Sequence, residues 1–312
     1  MSEIRKQPKL IVILGSTACG KTSWSLKLAR KINGEIISSD SRQIYKKMNI
    51  GTAKEPGEWR RNGLRKTYYI EDIPHHLIDF LDPGKRFTVA EFRDKALKYT
   101  KLAYKENRIP IVAGGTGLYI KSIVDNYQIP RVPPNKKLRQ SLGEKSNEEL
   151  LNLLKRMDAD AVKKVDPNNK RRIIRALEVC ILSGEPFSAQ KQKGDSLFDV
   201  LQIGINVPKD VLYDRINKRV DEMMEMGLLE EVEILLKQKY SWELPSMSGI
   251  GYRQFKDYFE KKKSLEEVTD LLKRDTRRYA KRQLAWFKRD ERIKWCDNYD
   301  QAEKLVEEFL KN

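Results

Sequence analysis

Residues 15–22 read Gly-Ser-Thr-Ala-Cys-Gly-Lys-Thr, directly after the apolar run Leu10–Leu14 and directly before an amphipathic stretch reaching Ile32. A strand, a turn of the pattern G-x-x-x-x-G-K-[ST] and a helix, in that order, constrain the chain more than anything else in it. Gly15 and Gly20 let the backbone curl so that the N–H groups of Ser16, Thr17, Ala18 and Cys19 point inward at phosphate oxygens. Lys21 adds a point charge, Thr22 a hydroxyl that can ligate Mg2+, and the following helix presents its positive end. The pattern does not say which phosphate is held: that of ATP, of GTP or of a pyrophosphate ester.

Two further short apolar runs, Glu35–Ser39 and Ile109–Ala113, also end at polar residues: Asp40, and the turn Gly114-Gly115-Thr116-Gly117. Thr88 with Glu91 makes a capping box that opens a helix reaching about Asn107. Short apolar strands separated by helices predict an α/β fold, a parallel sheet with flanking helices. In such sheets ligands sit beyond the carboxyl ends of the strands. From about Gln128 the texture changes. Pro130-Arg131-Val132-Pro133-Pro134 has linker composition, a second capping box stands at Ser146 and Glu149, and helical patterns run to about Lys193. Val200–Val207 resumes the sheet, Ile293–Cys296 is a fifth strand, and helices are expected over Asp210–Met226, Leu228–Lys239, Ser264–Phe287 and from Gln301. The spacing predicts an α/β core over 1–124 and 197–312, interrupted by an all-helical insertion over 125–196.

A formal charge of +17 favours a polyanionic partner, although a solvated basic surface would carry the same excess. Two clusters concentrate it. Lys170-Arg171-Arg172-Ile173-Ile174-Arg175 lies in the insertion, and Lys273–Lys294 holds ten Lys or Arg against three acidic residues. In the latter, Leu272, Thr276, Ala280, Leu284 and Phe287 form one helical face and leave Arg274, Arg278 and Lys281 on another. No apolar run approaches the roughly 18 residues that span a membrane. Leu10–Leu14 is too short for a signal-peptide core, so a cytoplasmic location is expected. Cys19, Cys180 and Cys296 lie too far apart in sequence to suggest a disulfide framework or a CxxC zinc site. His75 and His76 are adjacent, a poor spacing for a metal pair on a helix.

Asp40, at a strand end, can ligate Mg2+ or take a proton from a nucleophile. It can equally cap a helix beginning near Arg42. Arg215 and Arg219 share a helix face at i, i+4 and could clamp a leaving pyrophosphate. From the residues alone, salt bridges to Asp214, Asp221 or Glu222 are the better reading of that pair.

With these pieces assembled, the chain resembles the bacterial tRNA dimethylallyltransferases, also called tRNA isopentenyltransferases, nearly from end to end. Beyond the loop at 15–22, the resemblance is carried by Ser-Asp-Ser-Arg-Gln-Ile-Tyr at 39–45, Asn-Ile-Gly-Thr-Ala-Lys at 49–54, Pro-His-His-Leu-Ile-Asp at 74–79 and Gly-Gly-Thr-Gly-Leu-Tyr at 114–119. It continues through Arg-Arg-Ile-Ile-Arg-Ala-Leu-Glu at 171–178, Gly-Ile-Gly-Tyr-Arg-Gln at 249–254 and Thr-Arg-Arg-Tyr-Ala-Lys-Arg-Gln-Leu-Ala-Trp-Phe at 276–287. Ser16 and Cys19 stand where that family more often has Pro and Ser, at variable positions of the loop. The zinc finger of its eukaryotic members is missing here, which suits the bacterial type.

The resemblance implies a P-loop NTPase-like fold and transfer of a dimethylallyl group from dimethylallyl diphosphate to the N6 amine of the adenosine 3′ to the anticodon (adenosine-37) in tRNA. It implies that the loop holds pyrophosphate with Mg2+ at Thr22, and that Asp40 is the general base. Thr116 would contact the tRNA beside the target base, and Arg219, with Arg215, the pyrophosphate. It also implies tRNA contacts from Asp40, Ser41, Arg42 and Gln43, from Arg139, and from Arg171, Arg172, Ile173, Ile174 and Arg175. Further contacts are implied from Ser248, Gly249, Ile250, Gly251, Tyr252 and Arg253, and from Lys281, Arg282 and Lys288. Withdrawing the target base from its stack fits the general need of base-modifying enzymes. The expected partner is the tRNA anticodon stem-loop, and the expected state a monomer. Rivals are an adenylate isopentenyltransferase acting on free AMP, a P-loop kinase of a small metabolite, and an ATP-switched RNA-binding protein.

Overall fold

The computed structural model describes residues 7–63, 65–127, 129–130, 132–189 and 194–311. Strand β1 (Lys9–Leu14) is buried at every residue after Lys9. A run apolar on both faces belongs in the middle of a parallel sheet, and there it lies. The other strands are β2 (Gly34–Ser38), β3 (Glu58–Asn62), β4 (Arg65–Ile70), β5 (Ile73–His76), β6 (Ile109–Gly114), β7 (Asp199–Ile205) and β8 (Ile293–Cys296). Their order across the sheet is β3-β4-β5-β2-β6-β1-β7-β8. From β5 to β8 every pairing is parallel. β3 and β4 add an antiparallel edge beyond β5. The five strands expected from sequence all form; β3, β4 and β5 were not foreseen.

The chain divides into two compact units, Met1–Ile123 with Leu197–Asn312, and Val124–Ser196. Helices α1 (Lys21–Lys31), α2 (Val89–Lys105) and α3 (Gly117–Val124) belong to the strands of the first half. The second unit holds α4 (Lys136–Gly143), α5 (Asn147–Met157), α6 (Ala159–Lys164) and α7 (Lys170–Ser183). The first unit resumes with α8 (Lys209–Glu225), α9 (Leu228–Lys237), α10 (Lys256–Phe259), α11 (Leu265–Phe287) and α12 (Tyr299–Lys311). Full capping boxes open α2 at Thr88 and Glu91, α5 at Ser146 and Glu149, and α11 at Ser264 and Glu267.

Apolar clusters fill the interior of the first unit. One covers one face of the sheet around Ile11, Ile13, Ile111 and Ile203. Another packs Ile44, Met48, Tyr252 and Phe255 against α8, α9 and α11. The second unit buries Leu150, Leu154, Ile173 and Leu177. The helical texture expected to reach Lys193 stops earlier, at Ser183, because Gly184 takes a left-handed φ of 72° and closes α7. Gln128, the Arg131 of the expected linker and Lys193 lie outside the described residues. So do the first six and the last residue of the chain.

Candidate functional site

β2, β6 and β1 are neighbours in the sheet, so their carboxyl ends bring the Gly15–Thr22 loop, Asp40 and Thr116 to one edge. Gly20 stands at the start of α1 with φ 98°, a backbone that L side chains rarely adopt. The Lys21 ammonium donates to Ser16 O, folded over its own loop.

The ends of β2 and β6 are laced together. Ser39 N donates to Ala113 O at 2.7 Å, Thr116 N to Ser39 O at 3.2 Å, and Ser41 N to the Thr116 hydroxyl at 3.1 Å. These bonds bracket Asp40. Its Oδ1 accepts from Arg42 N at 2.7 Å and Gln43 N at 3.3 Å, while Oδ2 has no hydrogen bond among the described residues. The capping alternative is therefore half right: one oxygen ties a turn over 41–44, but no helix begins at Arg42. The other oxygen is left for chemistry.

Two adjoining cavities meet at Asp40. One, of about 220 Å³, is lined by Gly20, Lys21, Thr22, Asp40, Arg219, Tyr279 and Gln283 among others. The other, of about 300 Å³, is lined by Asp40, Ser41, Arg42, Ser248, Ile250, Gly251, Arg253 and Arg282, and shares Thr17, Ala18, Arg219 and Tyr279 with the first. Asp40 is the carboxylate common to both. Burial and the charge of Asp40 push the Tyr279 phenol up to about 12, so it keeps its proton at neutral pH. Burial lowers His75, on the wall of the smaller cavity, to about 4, so its ring is neutral. His76 pairs with Glu35 at 2.7 Å and stacks on Tyr99.

Arg219 makes no ion pair among the described residues and faces both cavities, whereas Arg215 is exposed and lines neither. The salt bridges favoured from sequence do not form: Asp221 pairs with Lys273, and Glu222 with Lys218. Thr116 holds the strand ends and lines neither of these two cavities. Among the expected RNA contacts, Ser248, Arg253, Lys281, Arg282 and Lys288 are exposed, as are Arg171 and Arg172 on the second unit.

Four of the expected contact residues have partners within the protein itself. The Ile173 side chain is fully buried in the second unit's core. Arg139 and Arg175 grip the fully buried Glu178, at 2.6 Å each. Tyr252 is 1% exposed and donates its hydroxyl to Glu231 at 2.7 Å. Tyr252 belongs to a knot in which Glu231 also accepts from the N–H groups of Asn49, Ile50 and Gly51. A Cβ at Gly51 would sit 2.6 Å from the Tyr252 ring, and one at Gly251 would sit 2.4 Å from Gly51 O. The knot presses segment 49–54 against the cavity wall, where Thr52 and Ala53 hold the Gln43 amide.

Sequence reasoning missed Tyr279 and Gln283 as site residues. Their signal was a polar group recurring on the apolar face of α11, between Thr276 and Phe287.

A phosphate-cradling loop opening on the same cavity as a strand-end carboxylate, at the carboxyl edge of a mostly parallel sheet, defines a P-loop NTPase-like α/β enzyme. The family model of the IPP transferases matches residues 43–290, and that of the isopentenyl transferases matches 8–76. A tRNA dimethylallyltransferase of Alkaliphilus oremlandii is 45% identical, over 97% of this chain and 96% of that one. One from Acetivibrio thermocellus is 43% identical, over 95% of each. The crystal structure of a tRNA isopentenylpyrophosphate transferase from Bacillus halodurans superposes with a TM-score of 0.69 at 36% identity, covering 98% of this chain and 96% of that one. A eukaryotic dimethylallyltransferase acting on tRNA gives a TM-score of 0.75 at 30% identity, covering 89% of this chain and 69% of that one. The chain belongs to the IPP transferase family, among the tRNA dimethylallyltransferases.

Proposed function

We propose that this chain transfers the dimethylallyl group of dimethylallyl diphosphate to the N6 amine of the adenosine 3′ to the anticodon of tRNA, releasing pyrophosphate. The observation that carries the reading is the phosphate loop and the half-free Asp40 on adjoining cavities, in a member of this family. N6 attacks the dimethylallyl C1, the C1–O bond breaks with its electrons onto pyrophosphate, and the N6 proton passes to Asp40. The loop N–H groups, Lys21 and Arg219 receive the charge that grows on the leaving group. Tyr279 stays protonated and serves there as a donor, not a base.

The residues suit Mg2+. Thr22 offers a hydroxyl at the loop's end, on the cavity lined by the phosphate loop. No group of three or more His, Cys, Asp or Glu converges among the described residues, and Mg2+ leans on substrate phosphates and water rather than on an all-protein cage. When bound, it would offset charge on the pyrophosphate. We read the working form as a cytoplasmic monomer; among the described residues no helix is long and apolar enough to cross a membrane.

The direct test is mass spectrometry of anticodon-loop adenosines after incubation with tRNA and dimethylallyl diphosphate. Modification of free AMP in preference to tRNA would return the adenylate-modifying alternative. Inorganic pyrophosphate is expected to compete with the donor, while ATP competes weakly and stays intact. Robust ATP turnover that depends on Lys21 would sink the donor assignment.

Exposed arginines on both units are assigned to tRNA phosphates. Arg172→Ala or Arg278→Ala is expected to weaken tRNA binding and to reduce the slope of log affinity against log salt by about one for each phosphate no longer neutralised. Donor affinity stays near normal. Loss of donor binding with tRNA binding spared would contradict this assignment.

A further inference from the structure

Gln283 lies on α11 with its side chain buried, 6% exposed, between two backbone segments that carry the chemistry. Its Oε1 accepts from Thr17 N at 2.8 Å, and its Nε2 donates to Gly115 O at 2.9 Å. A donor at one end and an acceptor at the other fix the amide's orientation, because a flip would set N–H against N–H and oxygen against oxygen. A Cβ at Gly115 would come 2.2 Å from Nε2, so the turn is bare where the amide passes. The neighbours of Gln283 on the helix face outward: Arg278, Lys281 and Arg282 are exposed, and Arg282 lies 5.8 Å from the centre of the Tyr279 ring.

We propose that Gln283 is a positioning residue that sets the phosphate loop for the donor's pyrophosphate, tying it to the helix whose outer face is assigned to RNA. The inference rests on the reading of Gly15–Thr22 as a pyrophosphate site. Thr17 N–H belongs to the loop, but it is already engaged by the amide, so Gln283 fixes one edge of the cradle and leaves the remaining N–H groups for phosphate. Gln283 touches neither reacting atom. Its effect falls on donor affinity, ahead of chemistry and apart from tRNA affinity.

The test is calorimetric titration of the full chain with magnesium pyrophosphate, beside steady-state kinetics on tRNA and melting temperatures. The wild type binds and Lys21→Ala does not, which establishes the loop reading itself; a wild type that fails to bind overturns that reading and this inference with it. Gln283→Met keeps the side chain's length and removes both hydrogen bonds. It is expected to weaken pyrophosphate binding about tenfold and to raise the donor KM in step, with tRNA KM unchanged and kcat less affected. A lower melting temperature and a smaller active fraction with unchanged pyrophosphate affinity would mean a purely structural role and overturn the proposal, as would a defect confined to tRNA KM. Should Gln283→Met not fold, Gly115→Ala displaces the same amide from the other side. Weaker pyrophosphate binding in that variant supports the proposal, and wild-type affinity overturns it.

Discussion

Asp40→Asn is expected to lower the single-turnover rate at saturating substrates by about two to four orders of magnitude while changing tRNA affinity less than about tenfold. An exocyclic adenine amine is a poor nucleophile because its lone pair is drawn into the ring. It gains strength only if its proton leaves as the carbon–nitrogen bond forms. A general base contributes about 10²–10⁴-fold, or roughly 3–5 kcal/mol of barrier. The geometry separates this role from the structural one. Asp40 Oδ1 accepts from Arg42 N and Gln43 N, and the side-chain oxygen of Asn can accept both bonds, since Asn caps about as well as Asp. The turn therefore survives, the melting temperature moves little, and the loss falls on proton transfer. Single-turnover rates and filter-binding affinities on one preparation decide the matter. A variant with near-normal rate removes Asp40 from the mechanism.

What was legible in the sequence follows from how local each signal is. The β1–loop–α1 unit declares itself within twenty-odd residues, because an apolar run, two glycines and an amphipathic helix are each encoded by adjacent positions. The capping boxes at Thr88 and Ser146 are equally local, and each opens its helix where expected. β3 and β4 were invisible for the opposite reason. They form an edge hairpin whose sequences, EWRRN and RKTYYI, hold five charged residues among eleven, so no sustained apolar run marks it. β5 carries Pro74 and two histidines, which do not read as strand.

The charge runs show the same limit at the site. Arg171, Arg172 and Arg175 look alike in sequence, yet α7 turns the first two to solvent and the third toward Glu178. Arg139 reaches that carboxylate from thirty-nine positions away, a pairing no window of sequence displays. Gln283 is similar: its partners Thr17 and Gly115 lie on other elements, so only the fold reveals that its amide is a bridge.

Glu178→Ala is expected to loosen the second unit by about 2–4 kcal/mol at neutral pH. Glu178 is fully buried and accepts from Asn135 N at 2.7 Å, from Arg139 in two bonds and from Arg175. Removing one partner of a buried pair costs about 3–5 kcal/mol when the other charge stays buried. The side chains of Arg139 and Arg175 are 39% and 31% exposed, so both can regain water and the expected loss falls toward the lower end. The pH dependence carries the same signature. Burial alone would raise the Glu178 carboxyl, but Arg139, the Asn135 N–H and Arg175 outweigh it and hold it below its usual 4.5. A depressed carboxyl contributes stability above its unfolded value, and that contribution fades as pH falls through the folded value. The wild type and Glu178→Ala should therefore differ most at neutral pH and converge as the pH drops below 4.5. Hydrogen exchange of α7 amides in the full chain, at neutral pH and at about pH 4, reads this directly. The variant should also bind tRNA less tightly, because Arg171 and Arg172 ride on α7, while pyrophosphate binding by the first unit stays intact. Unchanged protection of α7 at neutral pH would show that the unit is held by its apolar core alone.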